Sequence, residues 1–119
     1  MTGDGASSPG LRHARLEDMV KGWFVGAFEP TAHHTEACEV SVRRYAAGDR
    51  EGLHHHKVAT ELTVVVEGSV RMCGQTFDSG SIVTLAPGTA TDFEALTDCL
   101  CVVVKTPGAL DDKYAGGPL

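Results

Sequence analysis

The stretch that decides the fold runs from Gly48 to Gly68 and reads GDREGLHHHKVATELTVVVEG. Side chains alternate between the two faces of a β-strand, so His54 and His56 point to one face and His55 points to the other. Glu61 begins the next strand and lies opposite the histidine pair if the two strands are antiparallel neighbours. Two imidazoles and one carboxylate on one side of a metal ion leave positions open for substrate, water or O₂. The stretch therefore predicts a three-ligand metal site.

Outside this stretch, short β-prone runs are separated by turn residues, which is typical of a sandwich or barrel. Several turns leave only two residues between strands, and this indicates hairpins and antiparallel pairing. We therefore predict an all-β fold, with strands near Trp23–Phe28, Cys38–Tyr45, Leu53–Lys57, Glu61–Val66, Val70–Met72, Gln75–Phe77, Ile82–Leu85, Thr91–Ala95 and Leu100–Lys105.

Two of these predicted strands, Glu61–Val66 and the run Leu100–Val104, are apolar on both faces. A strand buried on both faces needs two coverings, of which the barrel interior is one. The other is a second sheet or a second subunit. We therefore expect a homodimer that forms through edge strands and the N-terminal arm.

The histidine-rich stretch resembles the first motif of the cupins. That motif is a glycine, five residues, His-x-His, three or four residues, a glutamate, six residues and a glycine. This chain matches it at every specified position, with Gly48, His54, His56, Glu61 and Gly68. The resemblance covers residues 23–105. It implies a single-domain cupin β-barrel, a double-stranded β-helix of the jelly-roll type, with a metal at its centre.

The second cupin motif is matched only in part. Gly80 and the turn Pro87-Gly88 are present, but Thr91 occupies the position of the fourth metal ligand, a histidine in the family. A threonine hydroxyl is a weak ligand at neutral pH, so the implied ligands are His54, His56 and Glu61. Thr91, Asp92 and water are the candidates for completing the sphere. Asp92 would need a β-bulge, because alternation points it away from the face that carries Thr91.

Three residues are candidates for catalysis: Glu61, Thr91 and Arg44. Arg43 and Arg44 are consecutive on a strand, so one of them faces the barrel interior, where it could bind a substrate carboxylate or phosphate. The residues leave open which of the two does so, and also whether both lie where the strand leaves the barrel. We take Arg44 as the candidate. Thr91 would orient a bound water or substrate oxygen.

The resemblance implies one divalent metal, Fe(II) by preference, with Zn, Mn, Ni or Cu as alternatives. The function we expect is a metal-dependent enzyme that acts on a small polar metabolite, either as an oxygenase or oxidoreductase or as an isomerase or lyase. The alternative is a non-catalytic module that binds a metal or a metabolite, such as a sensor or storage protein. Fold alone does not choose between these functions.

Composition limits the partners and the location. A net charge of −6 disfavours nucleic acid and anionic membranes as partners, because the field has the wrong sign. No basic segment precedes an apolar run at the N-terminus and no run is long enough to cross a membrane, so we expect a cytoplasmic protein. In that reducing compartment the four cysteines are expected to be free thiols. Cys99 and Cys101 share one face, and an inward thiol could approach the metal.

The 119 residues form one domain. We expect a flexible N-terminal tail at residues 1–15, the cupin β-barrel at residues 16–106 and a C-terminal tail at residues 107–119, either docked or frayed. One helical turn is expected at Leu16–Val20. Loop residues near His33 and His34 are expected to be solvated. The aromatic residues Trp23, Phe24 and Phe28 are expected to serve the core or dimer contacts, whereas Phe77, Phe93 and Tyr45 serve the core or line the pocket.

Overall fold

The computed structural model of the protein describes residues 9–117. In this part of the chain two 3₁₀ turns, Leu16–Asp18 and Val20–Gly22, precede ten β-strands. The strands are β1 (Trp23–Val25), β2 (Glu39–Tyr45), β3 (Arg50–His55), β4 (Thr60–Glu67), β5 (Ser69–Met72), β6 (Gln75–Asp78), β7 (Ile82–Leu85), β8 (Thr91–Ala95), β9 (Cys99–Thr106) and β10 (Tyr114–Ala115).

The strands form two five-stranded sheets, in the orders β1-β2-β9-β4-β7 and β10-β3-β8-β5-β6. Every named strand pair is antiparallel. The all-β prediction is confirmed. No helix in residues 9–117 is long and apolar enough to cross a membrane.

All nine predicted strands are present; Ile82–Leu85 and Thr91–Ala95 have the predicted ends, and the other seven are shifted at one or both ends. β1 stops at Val25 because the following residues fold back as a loop, in which Phe24 O accepts hydrogen bonds from Ala32 N and Thr31 Oγ1. β3 starts earlier than predicted, at Arg50, and ends at His55, so His56 directly follows the strand.

Odd-numbered residues of β4 and β9 face the barrel interior, and their chemistry changes along each strand. At one end Val65, Cys99 and Cys101 belong to a buried apolar cluster. Towards the other end the inward residues are Glu61 on β4 and Lys105 on β9. The barrel is therefore filled by an apolar core at one end and contains a polar cavity at the other.

Residues 107–117 form a C-terminal segment that docks on the barrel, which is one of the two states that the sequence left open. Its short strand β10 pairs with β3, placing Tyr114 opposite His55. Asp112 in the same segment is buried. At the other end of the chain, Arg12 donates a hydrogen bond to Ala32 O. A flexible tail is expected at residues 1–15, and residues 1–8 of it lie outside the described residues. Residues 118–119 also lie outside them.

Candidate metal site and its cavity

His54, His56 and Glu61 converge inside the barrel. One ligand atom from each side chain lies within 4.8 Å of the other two, and all three residues are buried. His54 lies in β3, His56 is the first residue after that strand, and Glu61 is the second residue of β4. The structure thus brings together the three residues that the sequence predicts as metal ligands. They meet across the barrel interior, because β3 and β4 lie in different sheets and are not the antiparallel neighbours considered from the sequence.

Hydrogen bonds to main-chain carbonyls fix the tautomers of both histidines. His54 Nδ1 donates to Gly52 O at 2.9 Å, and His56 Nδ1 donates to Asp112 O. Because a carbonyl can only accept, Nδ1 carries the proton and Nε2 carries the lone pair in each neutral ring. This is the arrangement in which histidine ligands are held around metal ions.

The residues present fit a metal ion. His56 Nε2 is buried, has no hydrogen-bond partner among the described residues and lies 3.5 Å from Glu61 Oε2. A buried polar atom without a partner is unfavourable, and a bound cation would satisfy it. Two imidazole nitrogens and a carboxylate oxygen are suitable donors for a divalent transition metal.

Electrostatics couple two of the ligands. Contact with Glu61 raises the pKa of His56 above its ordinary value, although burial opposes the shift. Burial alone would raise the pKa of Glu61, but the neighbouring His56 outweighs it and lowers this pKa. Without a metal the contact therefore favours the charged forms of both side chains, and a metal ion competes with the proton for His56.

Asp112 is the residue that anchors the loop after the histidines, and the sequence analysis missed it. Its carboxylate accepts hydrogen bonds from the backbone N–H groups of three consecutive residues, Lys57, Val58 and Ala59, at 2.8–3.1 Å. Burial alone would raise its pKa, but these donors outweigh burial and lower it. No pattern in the sequence after Thr106 points to this role.

The middle histidine does not belong to the metal site. His55 stacks on Tyr114, with ring centroids 5.4 Å apart, and its Nδ1 donates to Gly116 O at 2.8 Å. It therefore connects the outer face of β3 to the C-terminal segment, as the strand alternation predicts.

Thr91 and Asp92 differ in their relation to the site. Thr91 is fully buried, pairs with His54 in the register of β3 and β8, and lines the cavity. Its hydroxyl donates to Asp92 O at 2.6 Å, so the proton of that hydroxyl is already used. The Asp92 side chain is exposed and accepts a hydrogen bond from Cys73 N, which removes it as a fourth ligand.

The choice of Arg44 as the inward arginine is wrong. In β2 the odd-numbered residues face the interior, and Arg43 lines the cavity while Arg44 is exposed. Alternation requires one inward arginine but cannot say which one, because the face depends on the register of β2 against β9. That register pairs Arg43 with Cys101, a core residue.

The cavity has a volume of about 60 Å³. Besides the three ligands, Thr91 and Arg43, it is lined by Trp23, Tyr45, Glu51, Thr63, Met72, Phe93, Val103, Lys105 and Lys113. Lys105 could have been predicted, because it continues the inward series of Cys101 and Val103. Lys113 could not, because it comes from the patternless C-terminal segment.

Other candidates from the sequence have structural roles. Tyr45 and Phe93 line the cavity with their ring centroids 4.6 Å apart, and Phe77 packs on the apolar cluster. Cys99 and Cys101 are free thiols inside that cluster and are not part of the ligand group, and burial raises the pKa of Cys101 to about 12. The side chain of His34 is exposed.

Comparison with known proteins yields structural matches. No protein-family model matches the sequence, and no curated protein matches it. One similar structure is an uncharacterized conserved protein with a double-stranded beta-helix domain from Klebsiella pneumoniae subsp. pneumoniae MGH 78578. Its TM-score is 0.63 at 19% identity, and the match covers 71% of this chain and 74% of that one.

Two further similar structures are enzymes by name. DMSP lyase DddQ from Ruegeria pomeroyi DSS-3 has a TM-score of 0.62 at 17% identity, over 78% of this chain and 49% of the lyase. A sugar phosphate isomerase from a cupin superfamily, from Silicibacter pomeroyi DSS-3, has a TM-score of 0.54 at 22% identity, over 59% of this chain and 50% of the isomerase. At these identities the likeness extends to the fold and no further.

Proposed function

We propose that this chain, which has the cupin fold, is a metal-dependent enzyme that acts on a small polar metabolite. One observation carries the proposal: His54, His56 and Glu61 converge in a buried cavity, and His56 Nε2 has no hydrogen-bond partner there among the described residues. Among the described residues His55 Nε2, outside the cavity, also lacks a partner, so the convergence of the three donor groups, and not the unpaired nitrogen by itself, supports a metal ion.

The metal that these residues would hold is a divalent ion, and Fe(II) is our first choice. Two imidazoles and one carboxylate with open positions suit Fe(II), whereas Zn, Mn, Ni and Cu also accept imidazole. When bound, the ion would polarise a substrate oxygen as a Lewis acid and, if it is iron, give access to O₂ chemistry.

The chain's own residues orient the substrate. Binding of an anionic substrate group was predicted for Arg44, and we assign it to Arg43, whose planar guanidinium suits such a group. Thr91 uses its proton on Asp92 O, so its oxygen can only accept a hydrogen bond, for example from a substrate hydroxyl or a water. Tyr45 and Phe93 provide an apolar wall on which the substrate carbon atoms can pack.

Two reaction classes are compatible with this site. A lyase or isomerase reaction would use the metal only to stabilise negative charge on a substrate oxygen, and the names of two similar structures favour this class. An oxidation by O₂ would in addition require a redox-active metal, and it is the reaction that a site for Fe(II) favours.

Elemental analysis tests the proposal. We would purify the wild type, His56→Ala and His34→Ala under anaerobic conditions and measure metal per chain. About one equivalent of a divalent metal is expected in the wild type and in His34→Ala, and it should be lost in His56→Ala. His34→Ala is the matched control because the His34 side chain is exposed and lies outside the ligand group. Equal substoichiometric metal in all three proteins would refute the proposal.

The second candidate is a non-catalytic module that binds a metal or a metabolite. It is favoured by Thr91, which stands where the family has a fourth ligand and whose hydroxyl proton is engaged by the main chain. Fewer ligands lower metal affinity, as in a protein that releases its ion. A binding module would retain its metabolite affinity in His54→Ala, whereas an enzyme would lose turnover.

The remaining expectations concern assembly and location. We keep the homodimer as a proposal but place its interface on a sheet face instead of the edge strands and N-terminal arm expected from the sequence: a second copy of the chain would cover the outer face of the sheet that contains β4 and β9, because Leu62, Val64 and Val102 are only half-buried there. We also propose that the protein works in the reducing cytoplasm, which agrees with its four free cysteines.

A further inference from the structure

The metal cavity shares a wall with a larger outer cleft. Four residues line both spaces: Trp23, Arg43, Lys105 and Lys113. The inner chamber of about 60 Å³ has room for roughly four or five water molecules. The outer cleft has a volume of about 400 Å³, which is in the size range of small-molecule sites. A substrate can therefore place only a small end group in the chamber, and any larger part has to lie in the cleft.

The wall of the outer cleft combines apolar and charged residues. The apolar ones are Trp23, Val20, Phe28, Pro30 and Leu110, and the charged ones are Lys21, Glu29, Glu39, Arg43, Lys105 and Lys113. Val20 and Leu110 are each 60% exposed although they lie in a common depression. Single exposed apolar residues are ordinary, whereas several that line one concave surface indicate a place where apolar groups bind.

Positive charge is concentrated where the two spaces meet. The Arg43 side chain is 24% exposed and the Lys105 side chain 16%, and their nearest carboxylates lie 3.7 and 4.0 Å away. Among the described residues neither side chain donates a hydrogen bond to a protein group. Lys113 does donate one, to Glu51 at 3.2 Å, and the same carboxylate is the partner of Arg43.

Glu51 therefore serves two cations. The partner of Lys105, Glu39, already accepts a hydrogen bond from Ala109 N at 3.0 Å. The N–H donors of Arg43 and Lys105 are thus available to an anion at the boundary of chamber and cleft. A carboxylate matches the planar guanidinium of Arg43 in a two-point contact, and it is small enough for the chamber.

We propose that the substrate is an amphipathic carboxylate, whose charged end passes Arg43 and Lys105 towards the metal ligands and whose apolar body lies in the cleft against Trp23 and Leu110. This inference rests on the proposed function, because it assigns the substrate class of the same site. It predicts that affinity depends on both the charge and the chain length of the ligand.

Binding of simple probe ions tests the inference. The full-length protein loaded with Zn(II) would be titrated with acetate, hexanoate and hexylammonium, with binding followed by NMR. Hexanoate is expected to bind at least about tenfold more tightly than acetate, since burying two methylene groups suffices for that difference. Hexylammonium has the same chain and the opposite charge, and we expect no measurable binding.

Two substitutions assign the effect to the cleft. Leu110→Ser should remove most of the preference for hexanoate and leave acetate unchanged. Leu11→Ser is the matched control, because Leu11 is 65% exposed and lines neither space. Arg43→Gln should weaken both carboxylates. Circular dichroism of each variant verifies that the fold is intact.

Failure of the inference and failure of the proposed function are distinguishable, because metal content is measured on the same samples. Equal affinity for acetate and hexanoate, unchanged binding in Leu110→Ser, comparable binding of hexylammonium, or no carboxylate binding to the metal-loaded protein would each overturn the inference and leave the metal site standing. A preference for hexanoate in a protein that cannot be loaded with metal would support the cleft and refute the enzyme.

Discussion

At the scale of single residues, three adjacent histidines are anchored in the same way but serve two purposes. Each imidazole donates from Nδ1 to a main-chain carbonyl: Gly52 for His54, Gly116 for His55 and Asp112 for His56. The alternation of the strand then separates them, so that two rings approach Glu61 and the third faces the C-terminal segment. Identical side chains in one run therefore form part of one candidate metal site and one structural contact.

The metal affinity of the site should fall as the solution becomes acidic. Contact with Glu61 raises the pKa of His56 above 6.5, and a metal ion has to displace the proton from this imidazole. We expect the affinity for Zn(II) to decrease about tenfold per pH unit below the raised pKa, a decline that begins above pH 6.5. Competition with a chromophoric chelator over a pH series measures it. An affinity that stays constant down to the ordinary pKa of histidine would contradict this prediction.

The contribution of His56 to the stability of the metal-free protein should change with pH in the direction opposite to that of the metal affinity. Because the pKa of His56 is raised on folding, its contribution is complete below pH 6.5 and is lost as the pH rises through the folded value. The lowered pKa of Glu61 contributes above pH 4.5 and is lost as the pH falls through the folded value. The stabilisation by Zn(II) should therefore increase with pH, as urea unfolding of both forms would show. A stabilisation by Zn(II) that does not change with pH would refute the coupling between metal binding and the protonation of His56.

At the scale of elements, the C-terminal segment orients a metal ligand from outside the predicted barrel. Asp112 holds three consecutive N–H groups with its side chain and the imidazole of His56 with its carbonyl. Lys57 Nζ lies 4.1 Å from the ring centroid of Tyr114 in the same segment. The loop between β3 and β4 is therefore held by a C-terminal segment whose two-residue strand, β10, joins the edge of the sheet.

Asp112→Asn tests this dependence. An amide has one oxygen in place of two and adds N–H groups next to the donors of Lys57 and Ala59, so buried N–H groups lose their acceptor. We expect a loss of about 1–3 kcal/mol in the free energy of unfolding and a metal affinity about 10–100-fold lower. Denaturant unfolding and chelator competition measure the two effects. Asp111→Asn changes the charge equally at an exposed neighbouring position, and it should alter neither quantity.

The turn between β4 and β5 offers a second test of an element. Gly68 has φ +91°, and a Cβ atom there would lie 2.4 Å from Asp98 O. Gly74, in the turn between β5 and β6, is the comparison: it has φ +73°, and nothing lies within 4 Å of the position that a Cβ atom would occupy there. Gly74→Ala should cost about 1 kcal/mol through backbone strain alone, and Gly68→Ala clearly more, because the main chain has to shift. Equal midpoints in thermal unfolding would show that the turn can accommodate the added carbon.

The sequence predicts the elements where a local pattern exists. Alternating apolar residues predict β1 to β9, and His-x-His followed by a glutamate predicts the three ligands. Alternation states that Arg43 and Arg44 face opposite ways but not which one faces inward, because that depends on pairing with β9. β10, Asp112 and Lys113 leave no local signal, since their positions result from contacts with residues more than fifty positions away along the chain.

At the scale of the whole molecule, one outer sheet face remains apolar. On the outer face of β7, β4 and β9, apolar residues lie side by side across the sheet. Ile82, Val64 and Val102 form one row, and Leu62 and Val104 lie next to each other in the row beside it. Ile82 is 64% exposed and the others are half-buried. A continuous apolar patch of this kind is typical of a surface that another protein covers. This face is the basis of the dimer that we propose.

Sedimentation velocity tests the dimer. The wild type is expected to sediment as a dimer, and Ile82→Lys should shift it towards the monomer, because a buried, unpaired ammonium is unfavourable in an apolar interface. Leu53→Lys is the control, since Leu53 is 52% exposed and lies on the other sheet. A monomeric wild type, or an effect of Leu53→Lys as large as that of Ile82→Lys, would contradict the proposed interface.

The bond from His56 to residue 112 also has a consequence for biosynthesis. A ribosome delivers the chain from the N-terminus, so His54, His56 and Glu61 emerge well before the carbonyl that orients one of them. While residues 107–117 are still inside the exit tunnel, the ligands cannot have their final arrangement. Metal uptake would then follow the emergence of this segment from the tunnel, and a prematurely terminated product that lacks it would have little ability to capture metal from the cell.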